Sequence, residues 1–269
     1  MFYLVIFIFP ILINSQVLDT DLSDGLNAEG VSIKYLEGSS EPFKGHVFNY
    51  YPNGNRELKG NYSRGLKEGK WVWWYPNGEK NKTGYYVRSL EDSIWQWWFK
   101  NGQLMKRGKY KKGKKEGRWS EWYEDGTLAN SFGYIDDKPN GKCLKKFANG
   151  EKQIEIMYNY GIKSGIEKEW NENGIPVYEN NWKDGLKDGA QIIWAGNGLI
   201  LSKHRYSKGM LHGEYIDYYK SGQKSIVGNY RFGKKHGTWT YSYKDGVIAL
   251  SGNYRNGNPK GSWFWIRAN

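Results

Sequence analysis

A single cysteine stands in this chain of 269 residues, so no intramolecular disulfide can staple it. Cys143 therefore reads as a small buried hydrophobe rather than a reactive thiol. Aliphatic residues are scarce as well: aromatics reach 17% and mean hydropathy is −0.82. That balance excludes an ordinary aliphatic core, and stability has to come from aromatic and glycine packing along a sheet. Long apolar runs are missing except at residues 2–13, which are too few to cross a bilayer and match the core of a signal peptide. No cysteine follows that run, which excludes a lipoprotein anchor. Residues 1–15 read as a signal peptide ending at Ser15, placing the protein in the periplasm, on the cell surface or in the medium; if the segment is not a signal peptide, the protein is cytoplasmic.

Histidines are also few. His212 and His236 share one column, two strands and roughly 10 Å apart, too far to share a zinc, and His46 and His204 fall in other columns. Gly65 to Lys70 lacks the spacing and the following Ser/Thr of a phosphate loop. About 40 residues lie outside the regular part of the chain, too few for a catalytic domain. No catalytic residue, metal or cofactor is expected, and the chain does not read as an enzyme.

What is present is a period. Asn53-Gly54, Asn77-Gly78, Asn101-Gly102, Asp125-Gly126, Asn149-Gly150, Asn173-Gly174, Asn197-Gly198, Ser221-Gly222 and Asp245-Gly246 follow one another at intervals of 24 without insertion or deletion. Each pair sits between two β-rich, aromatic runs and reads as a hairpin. Pro52 and Pro76 favour a type I turn with the glycine in a left-handed bulge. The other connection, as in Lys111 to Gly117, is polar with two glycines and reads as a longer turn. The predicted fold is all-β: an elongated, twisted, single-layer antiparallel sheet of stacked 24-residue β-hairpin repeats over residues 41–269. Residues 16–40 read as a leader, with a capping strand at 31–36.

The columns carry further meaning. Tyr86 is aromatic in every copy, and Gly69 is glycine in every copy but one, Ser93. The column of Gly60, Gly84 and Gly108 becomes Phe132, Ile156, Asn180 and His204 before glycine returns at Gly228 and Gly252. The Trp73 column accepts Glu121, Lys145, Glu169 and Asp217 without disturbing the period, so its aromatic members, Trp73, Trp97, Tyr241 and Trp265, are the candidate partner-binding residues.

Residues 60–71, Gly-Asn-Tyr-x-x-Gly-x-Lys-x-Gly-x-Trp, recur at 228–239, and the chain there resembles the MORN repeat, most of all a bacterial variant with Tyr-Pro-Asn-Gly turns. The resemblance implies stacked hairpins in a curved, trough-like sheet, and binding or scaffolding rather than catalysis. Some bacterial members of that family are described as antitoxins of toxin–antitoxin pairs. The expected partner is another protein, through a scaffold role; the alternatives are an antitoxin or immunity protein neutralising a toxin partner, and binding of an anionic membrane surface or a glycan, which the net charge of +12 suggests. Nucleic acid is set aside, since export removes it.

Overall fold

The two glycine-bearing connections of the repeat build different turns. In a computed structural model describing residues 17–265, Gly78 N–H donates to Tyr75 O at 2.9 Å and Tyr75 N–H to Glu79 O at 2.7 Å, with Gly78 at φ 89°. This is the type I turn with a left-handed glycine, Pro76 taking the second corner, and the ladder register shifts beside it between Trp73 and Trp74. The return connection is shorter than its composition predicts. Arg64 and Gly65 have φ of 51° and 72°, Asp184 and Gly185 of 51° and 77°: two-residue turns of the mirror-image type that matches strand twist. The second glycine is not in the turn at all. Gly69, at φ 71°, lies where the ladder is interrupted after Leu66–Lys67, so it serves a bulge, and Ser93 takes the same conformation at φ 58°.

These hairpins repeat throughout. Twenty-two strands belong to one mostly antiparallel sheet in hairpin order, and the described residues contain no α-helix, only a 3-10 turn at Asp19–Asp21. The chain forms two compact units. The first runs to Gln103 and includes Tyr110–Gly113; the second comprises Leu104–Lys109 and the chain from Lys114 onward.

In the first unit, strands Gly45–Tyr50, Arg56–Ser63, Gly69–Trp74, Lys80–Val87 and Leu90–Trp98 pair in sequence. Its N-terminal edge differs from the expected one. The strand expected to cap the sheet at 31–36 does not join it: Val17–Leu18 does, parallel to Gly45–Tyr50, while Ser32–Leu36 pairs with Leu22–Leu26 in a separate two-stranded sheet. Asp19 anchors this edge: it accepts from Tyr62 Oη at 3.0 Å, and its N–H donates to Asn49 Oδ1. Leu22 is buried with Val47, Leu58, Tyr62 and Trp71. The expected signal peptide lies outside the described residues.

In the second unit, strands from Lys114–Trp122 to Asn258–Trp265 pair antiparallel in chain order. In both units, consecutive hairpins are tied by two families of side-chain bonds. Tyr51 Oη donates to Trp74 O, Tyr75 Oη to Trp98 O and Tyr219 Oη to Ser242 O, each 23 residues ahead at 2.7–2.8 Å. Glu68, Asn140 and Asp188 accept the N–H that opens the return turn 20 residues ahead. Each hairpin is thus completed by the next, as in a quasi-one-dimensional array. Deleting residues 237–260 is expected to leave a folded protein, because Gly228 then meets Trp263 as it met Trp239. Deleting 237–248 throws the side-chain alternation out of phase and is expected to abolish the cooperative melt of the C-terminal strands. Circular dichroism melts of both proteins decide it, and equal damage would refute the array.

Candidate functional site

Strand alternation divides the side chains between two faces. One, the ring face, carries Trp71, Trp73 and Tyr86 with their copies; the other carries Phe48, Lys59, Lys70 and Val72.

The core of the ring face is a set of glycine–tryptophan pairs. Trp71 lies on Gly60, Trp95 on Gly84, Trp119 on Gly108, Trp239 on Gly228 and Trp263 on Gly252, so closely that a Cβ on any of these glycines would overlap the indole. Trp71, Trp95, Trp119 and Trp239 are buried, and so is Cys143 in the same column. The indole N–H of Trp95, Trp119 and Trp239 reaches the carbonyl of Tyr85, Lys109 and Asn229 at 3.1–3.2 Å. At Trp71 the corresponding carbonyl, of Asn61, is taken by Glu68 N–H, and the indole N–H has no partner.

In the middle of the second unit this pairing is replaced, on both sides at once. Wherever glycine is lost, tryptophan is lost too: Phe132 with Cys143, Ile156 with Glu167, Asn180 with Gln191, His204 with Tyr215. A larger residue leaves no room for an indole, and the space fills with hydrogen-bonding groups. Glu167, 5% exposed, is held by Lys163 Nζ at 2.8 Å and by Trp182 Nε1 at 2.8 Å. Gln191 Nε2 donates to Asn180 Oδ1 at 2.8 Å. Asp217 joins His204 Nε2 at 2.9 Å and accepts from Tyr215 Oη at 2.8 Å, while the His204 and Tyr215 rings stack at 3.9 Å. Burial, then the Asp217 carboxylate, pushes the Tyr215 phenol well above its ordinary range; burial, then Glu169, does the same to Tyr178. Satisfied buried networks of this kind fix a structure, and no group of three or more His, Cys, Asp or Glu able to hold a metal occurs among the described residues.

The residues expected to bind a partner occupy three settings. Trp73 and Trp97 are half-buried and alternate with the core rings: Trp71, Trp73, Trp95 and Trp97 follow at centroid separations of 5.6, 6.0 and 5.8 Å with interplanar angles of 27–30°. Tyr241 lies 6.3 Å from Trp239 and accepts from Lys235 Nζ at 2.9 Å. Trp265 is 61% exposed beside Phe264 at 59%. Sequence reasoning missed the cations. Lys67 sits 4.6 Å from the Trp71 ring, Lys82 4.4 Å from Trp73 and Lys235 4.3 Å from Trp239. Burial lowers the Lys67 and Lys82 ammonium pKa. A partial signal was there, in a column that holds Lys67, Lys115, Lys163, Lys187 and Lys235, interrupted by Glu91, Pro139, Leu211 and Pro259, beside the aromatic column of Tyr86.

Comparison with known proteins adds a family. The family described as MORN repeat variant matches residues 44–64, 67–88, 91–112, 115–136, 163–184, 211–231 and 235–256, more than half of the chain. Unmatched residues 137–162 and 185–210 hold Cys143, Ile156, Gln191 and His204, where the glycine–tryptophan pairing is gone. No curated protein matches. Among solved structures, the chain aligns with a TcdB2-TccC3-Cdc42 crystal structure at 9% identity and TM-score 0.22, covering 91% of this chain and 15% of that one. It aligns with a Photorhabdus luminescens Tc holotoxin pore at 12% identity and TM-score 0.21, covering 89% and 15%. The chain spans about 15% of the length of these structures, and scores so low carry no argument.

Proposed function

We propose a function for this chain from one premise: it belongs to the MORN repeat variant family. The protein acts as a non-catalytic, exported binding or scaffold module, and its partner is another protein. One observation carries the reading. Trp73 and Trp97 pack on the buried rings yet keep part of their surface exposed, and Lys82 is seated over Trp73 at 4.4 Å. Half-exposed indoles held at fixed orientation lose little entropy on contact, and tryptophan dominates binding hot spots. Stacked rings with a cation above them favour a protein surface, which offers both apolar and acidic groups.

The test is Trp73→Ser combined with Trp97→Ser, followed by a melting curve and a pull-down from the protein's own host. Loss of a stoichiometric partner with little change in melting supports the reading. Retained binding with a large fall in melting temperature shows that the rings serve only the fold. Binding that survives the substitutions and follows salt and anionic vesicles instead assigns the surface to lipid.

A further inference from the structure

The opposite face of the first unit holds a feature that the ring face does not explain. A hollow of about 590 Å³ opens over strands Gly45–Tyr50, Arg56–Ser63 and Gly69–Trp74. Its walls carry His46, Arg56, Lys59 and Lys70, and its apolar lining includes Val72 and Trp74. The Arg56 guanidinium stands 5.5 Å from the rings of both Phe48 and Trp74, and Lys59 Nζ 5.8 Å from Phe48. Arg56, Lys59 and Lys70 form no ion pair with any carboxylate among the described residues. The one carboxylate on the wall, Glu68, accepts the Arg88 N–H at 2.9 Å. On the corresponding strand side in the second unit, Lys142 is matched with Glu155 and Lys168 with Glu179, both at 2.9 Å.

We infer that this hollow binds an extended acidic segment of a protein partner, its carboxylates on Arg56, Lys59 and Lys70 and an apolar side chain against Val72 and Trp74. An arginine held between two rings keeps its planar fork presented, which suits a carboxylate. Concavity and an apolar lining beside the charges call for a chain that alternates carboxylates with apolar groups, whereas a membrane would meet a broad convex or flat surface. The inference shares with the proposed function only the premise of a protein partner, and it uses a different face.

The probe is a labelled synthetic peptide alternating glutamate and leucine, titrated against the full chain by fluorescence anisotropy. Arg56→Ala with Lys70→Ala is expected to weaken binding about tenfold or more, the loss of at least one charge-assisted hydrogen bond, with an unchanged melt because both side chains are exposed. Lys111→Ala with Lys112→Ala removes the same charge from a turn and is expected to leave the affinity within about twofold, since exposed charges that far away are screened. Trp73→Ser with Trp97→Ser is expected to leave it unchanged, which separates this site from the ring face. Equal losses in the two lysine-containing doubles would reduce the effect to net charge and overturn the site. Displacement of the peptide by inorganic phosphate, or by phosphatidylserine vesicles that lose binding in the Arg56/Lys70 variant, would assign the hollow to an anionic head group and overturn it as well.

Discussion

Gly84→Phe is expected to cost about 3 kcal/mol or more, and Trp95→Cys in the same chain is expected to return most of that loss. The phenylalanine has to occupy space filled by the Trp95 indole, which covers the Gly84 backbone. Trp95, 3% exposed, has no room to retreat: Tyr86 meets it edge-on at 5.1 Å, and Trp73 and Trp97 stack on its two sides. Trp95→Cys alone empties a buried site and costs about 3–5 kcal/mol. The double substitution copies a pair this chain already uses, Phe132 with Cys143. Denaturant titration of the four proteins gives the coupling energy, expected at about 2 kcal/mol or more in the rescuing direction. Additive losses would show that the two columns are independent.

Alkaline unfolding is expected to be steep. Burial pushes the Tyr86 phenol up to about 12 and moves Tyr62, Tyr178 and Tyr215 upward as well, with Asp19, Glu169 and Asp217 adding to the last three in that order. A phenol whose folded pKa is raised contributes stability that is complete below its ordinary value of about 10 and is lost as pH rises through the folded value. Lys67, Lys82 and Lys187 work the other way: burial lowers their folded pKa, so the unfolded chain binds more protons and their deprotonation favours the fold as pH rises. The tyrosines outweigh them, being more numerous and, at Tyr62, Tyr178 and Tyr215, hydrogen-bonded to carboxylates that reject a phenolate. After discounting for partial exposure, each contributes about 1–2 kcal/mol. The melting temperature should hold to about pH 9 and collapse between about pH 10 and 12, with tyrosinate absorbance rising in the same transition. Complete titration of all the tyrosines by about pH 10 without unfolding would contradict the burial.

Most of the hairpin was legible because its chemistry is local. Asn77-Gly78 after Pro76 admits few backbone solutions, and the type I turn with a left-handed glycine follows from the φ limits of proline and glycine. The return turn was misjudged for a physical reason. Gly65 and Gly69 look alike in sequence, but one closes a two-residue turn and the other serves a bulge four residues on, so their spacing suggested a longer loop. The N-terminal edge was illegible because the anchors of Val17–Leu18 are distant: Asp19 to Tyr62, and Val17 to Val47. The ring-face core was half legible. The loss of glycine from Phe132 to His204 was visible, but only three-dimensional register shows that the residue 11 positions later covers it, and so that Cys143, Glu167, Gln191 and Tyr215 answer those changes. For the candidate site, alternation placed Trp73 and Trp97 on one face; nothing in one sequence placed Lys82 above a ring or gathered Arg56, Lys59 and Lys70 around one hollow.

The bonds from Tyr51, Tyr75 and Tyr219 to carbonyls 23 residues ahead bear on how the chain is made. Beyond its N-terminal anchors, each hairpin needs for completion only the one that leaves the ribosome next. Contacts of such short sequence separation close quickly and ask little loop entropy. The array is therefore suited to being laid down in order as it emerges, with at most one hairpin's edge waiting uncovered at any moment, the state in which β proteins are most exposed to aggregation.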